Sequence, residues 1–136
     1  MSGAFFVIGA VLAGIAALIH VVIFCLESVL WSKPATWKRF GVASQADADS
    51  MRGMAYNQGF YNLFLALGAG AGIIMIGSAA VQQGGIALTI FVLLSMLLAS
   101  IVLITSNPKL LRAALVQGAA PLLGIVSLVL ALTTGA

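Results

Sequence analysis

Apolar residues run along this chain in four long blocks, separated by one polar stretch and two short turns. The first block covers residues 4–31, and Glu27 is its only formally charged member. About 20 apolar residues span a bilayer as a helix, so this block is long enough to do so. No basic residue precedes it and its apolar run exceeds a secretory h-region, so it is read as a retained first helix. Lys33 and Pro34 end it. Residues 32–50 (SKPATWKRFGVASQADADS) form the polar stretch, in which Ser44 to Ser50 carry the signals of a helix start. The second block, residues 51–80, opens polar with Arg52, Tyr56, Asn57, Gln58, Tyr61 and Asn62, then turns small and apolar through Gly72. Gln82 to Gly85 is read as a turn, and the third helix covers residues 86–105. Asn107 caps the fourth helix, Pro108 suits its first position, and the helix runs to about residue 132.

Composition agrees with lipid as the solvent. Of 136 residues, 62% are hydrophobic and 7% charged, whereas soluble domains average about 45–50% apolar and about 25% charged. The expected fold is an all-α four-helix transmembrane bundle forming a single membrane domain. The net charge of +3 is too small and too local to suggest nucleic-acid binding. Cys25 is the one cysteine, so no intramolecular disulfide forms, and it reads as a buried thiol.

The basic residues fix an expected orientation. Lys33, Lys38, Arg39 and Arg52 lie in or beside the first connection, and Lys109 and Arg112 follow the third. In a four-span chain these connections share a side. The positive-inside rule puts both in the cytoplasm and both termini outside. Trp31 and Trp37 flank the basic residues as expected of aromatic anchors at an interface.

The polar residues within the spans carry the candidate chemistry, because polar groups in a membrane helix are costly and normally face the bundle or a cavity. Measured from the span ends, Glu27 lies ~6 Å inside and His20 ~16 Å inside, while Asn57 and Gln58 lie ~9–11 Å in, Asn62 ~16 Å and Gln117 ~14 Å. His20, Asn62 and Gln117 are therefore expected in one mid-membrane layer, with Glu27, Asn57 and Gln58 between it and the cytoplasm. On the first helix Gly9, Ala13, Ala16, His20, Phe24, Glu27 and Trp31 form one stripe. On the second, Gln58, Asn62, Leu65, Ala69 and Gly72 form a stripe beside Asn57, Tyr61, Phe64 and Gly68, and Gly68 with Gly72 makes a GxxxG pair. Pro121 frees the carbonyl of Gln117. The third helix supplies only Ser95 and Ser100 and reads as a supporting or lipid-facing wall. The implied site is a pocket in the cytoplasmic half. Its candidate proton donors or acceptors are His20 and Glu27, and its lining is Asn57, Gln58, Tyr61, Asn62, Gln117 and Trp31. Each of these has a plainer reading. Glu27 pairs with Lys33 or Arg52 at the rim, His20 packs through a hydrogen bond, and the amides join helices. His20 and Glu27 alone make no metal set, and no cofactor motif is legible.

The segments HVVIFCLESVLW (20–31), NQGFYNLFLA (57–66) and QGAAP (117–121), with Phe40-Gly41, resemble the domain-of-unknown-function 1304 family of small bacterial and fungal integral membrane proteins. The resemblance covers essentially the whole chain and implies a four-span protein, with no activity attached. The expected location is a plasma membrane, the inner membrane in a bacterium. Three functions remain open. The first binds or converts a lipophilic molecule, sterol-like, isoprenoid or quinone-like. The second is a proton-coupled small transporter working as a dimer, a homo-oligomer of this chain, since a single membrane carboxylate in a four-span chain resembles the small multidrug exporters. The third is an accessory subunit. Membrane lipid is the expected surrounding partner.

Overall fold

The computed structural model describes residues 2–134, and every element in them is helical. Helix α1 (Ser2–Phe24) continues into one π-helical turn (Cys25–Val29). A short α2 (Pro34–Trp37) and a 3-10 turn (Lys38–Phe40) follow, then α3 (Gln45–Ile76), α4 (Gln82–Ser106), a 3-10 turn (Pro108–Leu110) and α5 (Leu111–Thr134). Four stretches are long and apolar enough to cross a membrane: Gly3–Val29, Gln45–Ile76, Gln82–Ser106 and Pro108–Thr134. They pack as a ring in which α1 touches α3 and α5, and α4 touches α3 and α5, while the α1–α4 diagonal barely meets.

Local chemistry explains the boundaries. Lys33 is extended, as a residue before proline must be, and Pro34 takes the first position of α2. Gly41 closes the 3-10 turn at φ 78°, a left-handed conformation that suits glycine. Ser44 caps α3, its Oγ accepting the Asp47 N–H at 3.1 Å. This cap starts the second long helix at Gln45, six residues before the expected Met51. At 1.5 Å per residue its 32 residues reach about 48 Å, so its first turns extend past a ~30 Å hydrocarbon core. The Asn107 side chain accepts the Lys109 N–H at 3.1 Å, as the sequence suggested.

The expected turn at Gln82–Gly85 is corrected: those residues open α4, and the chain reverses between Ile76 and Gln82. The two glycines mark a close contact instead of a bend. A Cβ on Gly85 would stand 2.6 Å from the Ile76 nitrogen. Gln82 Nε2 donates to the free Ile76 carbonyl at 3.1 Å and closes the end of α3.

The burial pattern is inverted relative to a water-soluble bundle. Ala13, Ala16 and Ala69 are fully buried with Leu93, Met96 and Leu128, whereas Ile74, Leu18 and Phe91 are 78%, 68% and 67% exposed. Large side chains meet the surroundings and small ones meet each other, which is the arrangement that lets helix backbones approach within lipid. Helix α4 is more than a supporting wall, since Val92, Leu93 and Met96 sit at the centre of the core. The tryptophans also depart from expectation. Trp31 and Trp37 are 6% and 4% exposed and form a second cluster with Ala48 and Ala55, covered by Phe40, Val42 and Met51. They fasten the first connection onto α3 because Trp31 Nε1 finds the Ala48 carbonyl at 2.8 Å. That connection also meets the α4–α5 turn, for Gly41 lies against Asn107 and Leu110. All six basic residues therefore gather toward one end of the bundle, and the described ends of the chain lie at the other.

The glycine contacts predict a contrast between two substitutions on α3. A Cβ at Gly72 would run into Thr89, whose backbone nitrogen would lie 3.1 Å away, whereas at Gly70 it meets nothing within 4 Å. Gly72→Leu is expected to destabilise the bundle by about 1–3 kcal/mol, the usual cost of overpacking. Gly70→Leu is expected to be nearly neutral. Thermal unfolding of both proteins in detergent checks this, and equal losses would contradict the packing described.

Candidate functional site

The site begins with the way α1 ends. In the π turn the Leu30 N–H donates to the Cys25 carbonyl at 2.9 Å, five residues back. Such a turn inserts an extra residue into the helical path, and π turns are common at functional positions. Glu27 lies at its centre. Against it packs α3 at Gly59, where a Cβ would collide with the Ser28 side chain and stand 3.1 Å from both the Glu27 Cβ and the Ser28 nitrogen. Only a residue without a side chain lets the two backbones come so close. Ser28 Oγ then donates to the Tyr56 carbonyl at 2.9 Å.

This close approach delivers Asn62 to Glu27. The Asn62 Nδ2 donates to Glu27 Oε2 at 2.9 Å and to the Gln58 carbonyl one turn back at 3.1 Å. A carboxylate only accepts, so the amide nitrogen is the end that faces it. Glu27 and Asn62 are both 8% exposed. The carboxyl group's hydrogen-bond partner is thus an amide from the neighbouring span, and neither Lys33 nor Arg52 takes that place. Glu27 also lines two hollows. One, of about 390 Å³, is bounded by Glu27, Ser28, Trp31, Arg52, Gly53 and Tyr56 among others. The other, of about 150 Å³, is bounded by Glu27, Trp31, Phe40, Met51, Met54, Ala55 and Gln58. Glu27 and Trp31 are the walls common to both.

The remaining candidates from the sequence are placed elsewhere. His20 is fully buried, with Nδ1 2.8 Å from the Ala16 carbonyl. A carbonyl accepts, so Nδ1 carries the proton and Nε2 presents a lone pair, which has no partner. Asn62 joins Glu27, seven residues along the first span from His20, and neither His20 nor Gln117 takes part in that bond. Asn57 and Tyr61 are exposed on the outer face of α3 and line neither hollow. The inward face instead runs through Ala55, Gly59, Asn62, Ala66, Ala69 and Gly72. Gln117 is half-buried on α5, ahead of the buried Pro121 and Gly124, and it too lines neither hollow.

Sequence reasoning did not single out Ser28, Gly59 and Thr89. A glycine three residues before Asn62, within an otherwise polar turn, was the available signal for Gly59. Thr89 is fully buried, and its Oγ1 donates to the Gly85 carbonyl at 2.8 Å, a local bond that leaves no trace in spacing. Among the described residues no group of three or more His, Cys, Asp or Glu side chains is arranged to hold a metal ion.

Residues 14–129 match the family model described as "Protein of unknown function (DUF1304)", and the chain belongs to that family. No curated protein and no solved structure matches it.

The Glu27–Asn62 contact predicts coupled energetics. Asn62→Ala removes the amide that faces the buried carboxyl group, and a loss of about 1–3 kcal/mol in unfolding free energy is expected. Combined with Glu27→Ala, the two losses should fall short of their sum by at least about 0.5 kcal/mol. Unfolding of the wild type, both single variants and the double variant measures this coupling, and simple additivity would show that the pair contributes nothing.

Proposed function

We propose that this chain is an integral membrane protein that binds a lipophilic small molecule at the hollows beside Glu27, with the carboxyl group as its polar contact and proton donor or acceptor. One observation carries the reading. Glu27 is held by Asn62 through one oxygen, while the larger hollow adjoins the same side chain. A carboxyl group within a span costs several kilocalories per mole unless something repays it. An intrachain cation would repay it in a purely structural role, and here that partner is a neutral amide. Trp31 and Gln58 complete the lining, and Asn62 sets the carboxyl orientation. His20, remote from both hollows, serves the packing of the core in this reading.

The membrane orientation belongs to the same proposal. Lys33, Lys38, Arg39, Arg52, Lys109 and Arg112 gather at the end that carries the hollows, and the positive-inside rule assigns that end to the cytoplasm and both termini to the outside. The hollows then open at the cytoplasmic leaflet.

Two measurements test the proposal. Native mass spectrometry of gently purified protein is expected to show a bound small molecule in the wild type, and loss of it in Glu27→Gln. An empty wild type, or equal occupancy in the variant, would overturn the binding reading. For orientation, single cysteines in a Cys25→Ser background are expected to react differently with an impermeant thiol reagent applied to intact cells. Ser78→Cys should be labelled directly and Ser44→Cys only after permeabilisation. The reverse pattern would invert the topology.

A further inference from the structure

The larger hollow carries charges of both signs. Glu27 and Arg52 both line it, together with Ser28, Ser32, Trp31 and Tyr56. The two charged groups belong to different spans, Glu27 to the π turn that ends the first and Arg52 to α3, and the hydrogen bond of Glu27 goes to Asn62 and not to Arg52. Opposite charges that face one space without pairing each remain available to a guest. Tryptophan and tyrosine faces attract ammonium groups, and guanidinium forks match phosphate and carboxylate oxygens.

We propose that this hollow takes a zwitterionic head group, its ammonium toward Glu27, Trp31 and Tyr56 and its phosphate or carboxylate toward Arg52. The inference rests on the ligand-binding reading above and names the chemical class of that ligand. A volume of about 390 Å³ suits a head group better than a whole lipid. The tail of such an amphiphile has a place to go. The exterior of α1 and α3 beside the hollow is lined by large apolar side chains, with Val29 and Phe64 64% and 58% exposed. The smaller hollow, which Glu27 also lines, is walled by Phe40, Met51, Met54 and Ala55. A polar head at the basic end of the bundle with apolar surface running away from it is the arrangement of an amphiphile lying in one leaflet. A cationic amphiphile would leave Arg52 facing it, and an anionic one would leave Glu27 facing it. Each of these like-charge encounters is unfavourable, so the hollow selects by repulsion as well as attraction.

The test uses the full-length protein in a neutral detergent and a single competition assay with four probes. These are phosphatidylethanolamine, phosphatidylglycerol, a long-chain alkyl ammonium and water-soluble glycerophosphoethanolamine. The wild type is expected to retain phosphatidylethanolamine on the order of tenfold more tightly than phosphatidylglycerol or the alkyl ammonium, the scale of one charge-assisted contact. Glu27→Gln should abolish the preference over phosphatidylglycerol, and Arg52→Gln the preference over the alkyl ammonium. Arg112→Gln, which removes a positive charge on α5, should change neither. Arg52 is exposed, so its variant tests the proposal even where Glu27→Gln fails to fold. Equal retention of the three lipids, or preference for a singly charged one, would overturn the zwitterion while leaving ligand binding at Glu27 intact. Equal competition by glycerophosphoethanolamine would assign the hollow to a soluble zwitterion and overturn the amphiphile. Retention of none of the four probes, by a wild type that also carries no ligand of its own, would overturn both readings.

Discussion

Helices in a bilayer gain no hydrophobic drive by meeting each other, because lipid tails already solvate their leucines. What holds them is close contact, and close contact requires small side chains along the seams. This constraint organises the whole bundle. Alanines and glycines of α1, α3 and α5 occupy the interior, Leu93, Met96 and Leu128 fill what remains, and the bulky aliphatic and aromatic residues point outward. The same economy of space determines where polar groups stand. An interior of small residues has room for hydroxyls that bond to their own helix, as Thr89 and Ser100 do. A larger polar side chain must find a partner on another span or an opening.

Glu27 has both. The contact at Gly59 brings α3 against the π turn, and that turn carries the carboxylate toward Asn62. The pieces depend on one another. A side chain at Gly59 would collide with the Ser28 hydroxyl and crowd the Glu27 Cβ and the Ser28 nitrogen. A regular α-helical end to α1 would lack the widened turn on which Gly59 lies. Unusual backbone, close packing and the one charged side chain of the first span therefore coincide at one position. Structural ion-pair networks do not need such convergence, since long basic side chains reach their partners from many backbone positions.

Much of this was legible in the sequence, for reasons of length and period. Four spans follow from hydropathy alone, and the stripe from Gly9 through Trp31 on the first helix is the inward face because seven positions agree on one period. The second long helix was harder. Its polar residues cluster within two turns, so almost every direction around the helix carries one, and the stripe through Gln58 competes with the one through Asn57 and Tyr61. The true inward face passes through Gly59 and Asn62, and it is defined by a residue with no side chain to read. The Gln82–Gly85 turn was misread for a related reason. Paired glycines signal a bend in soluble proteins, whereas between membrane helices they equally signal that another backbone is touching. Trp31 was expected as an interfacial anchor, but its indole N–H reaches the Ala48 carbonyl by folding inward, whereas Trp37 is buried with its Nε1 unpartnered.

His20 and Glu27 show how burial separates two ionisable groups on one helix face. The imidazole is fully enclosed, its proton bonded to Ala16 in its own helix and its lone pair without a partner. An accessible neutral imidazole could exchange protons, whereas this one is fully buried and lines neither hollow. Glu27, seven residues nearer the basic end, borders space on two sides. The difference of two helical turns is the difference between the closed half of the bundle, where small residues let the spans touch, and the half where α1 ends and the first connection begins. Of the two groups Glu27 is the one that borders open space, which is why the proposed binding is placed at its carboxyl group and at the hollow that Arg52 also lines.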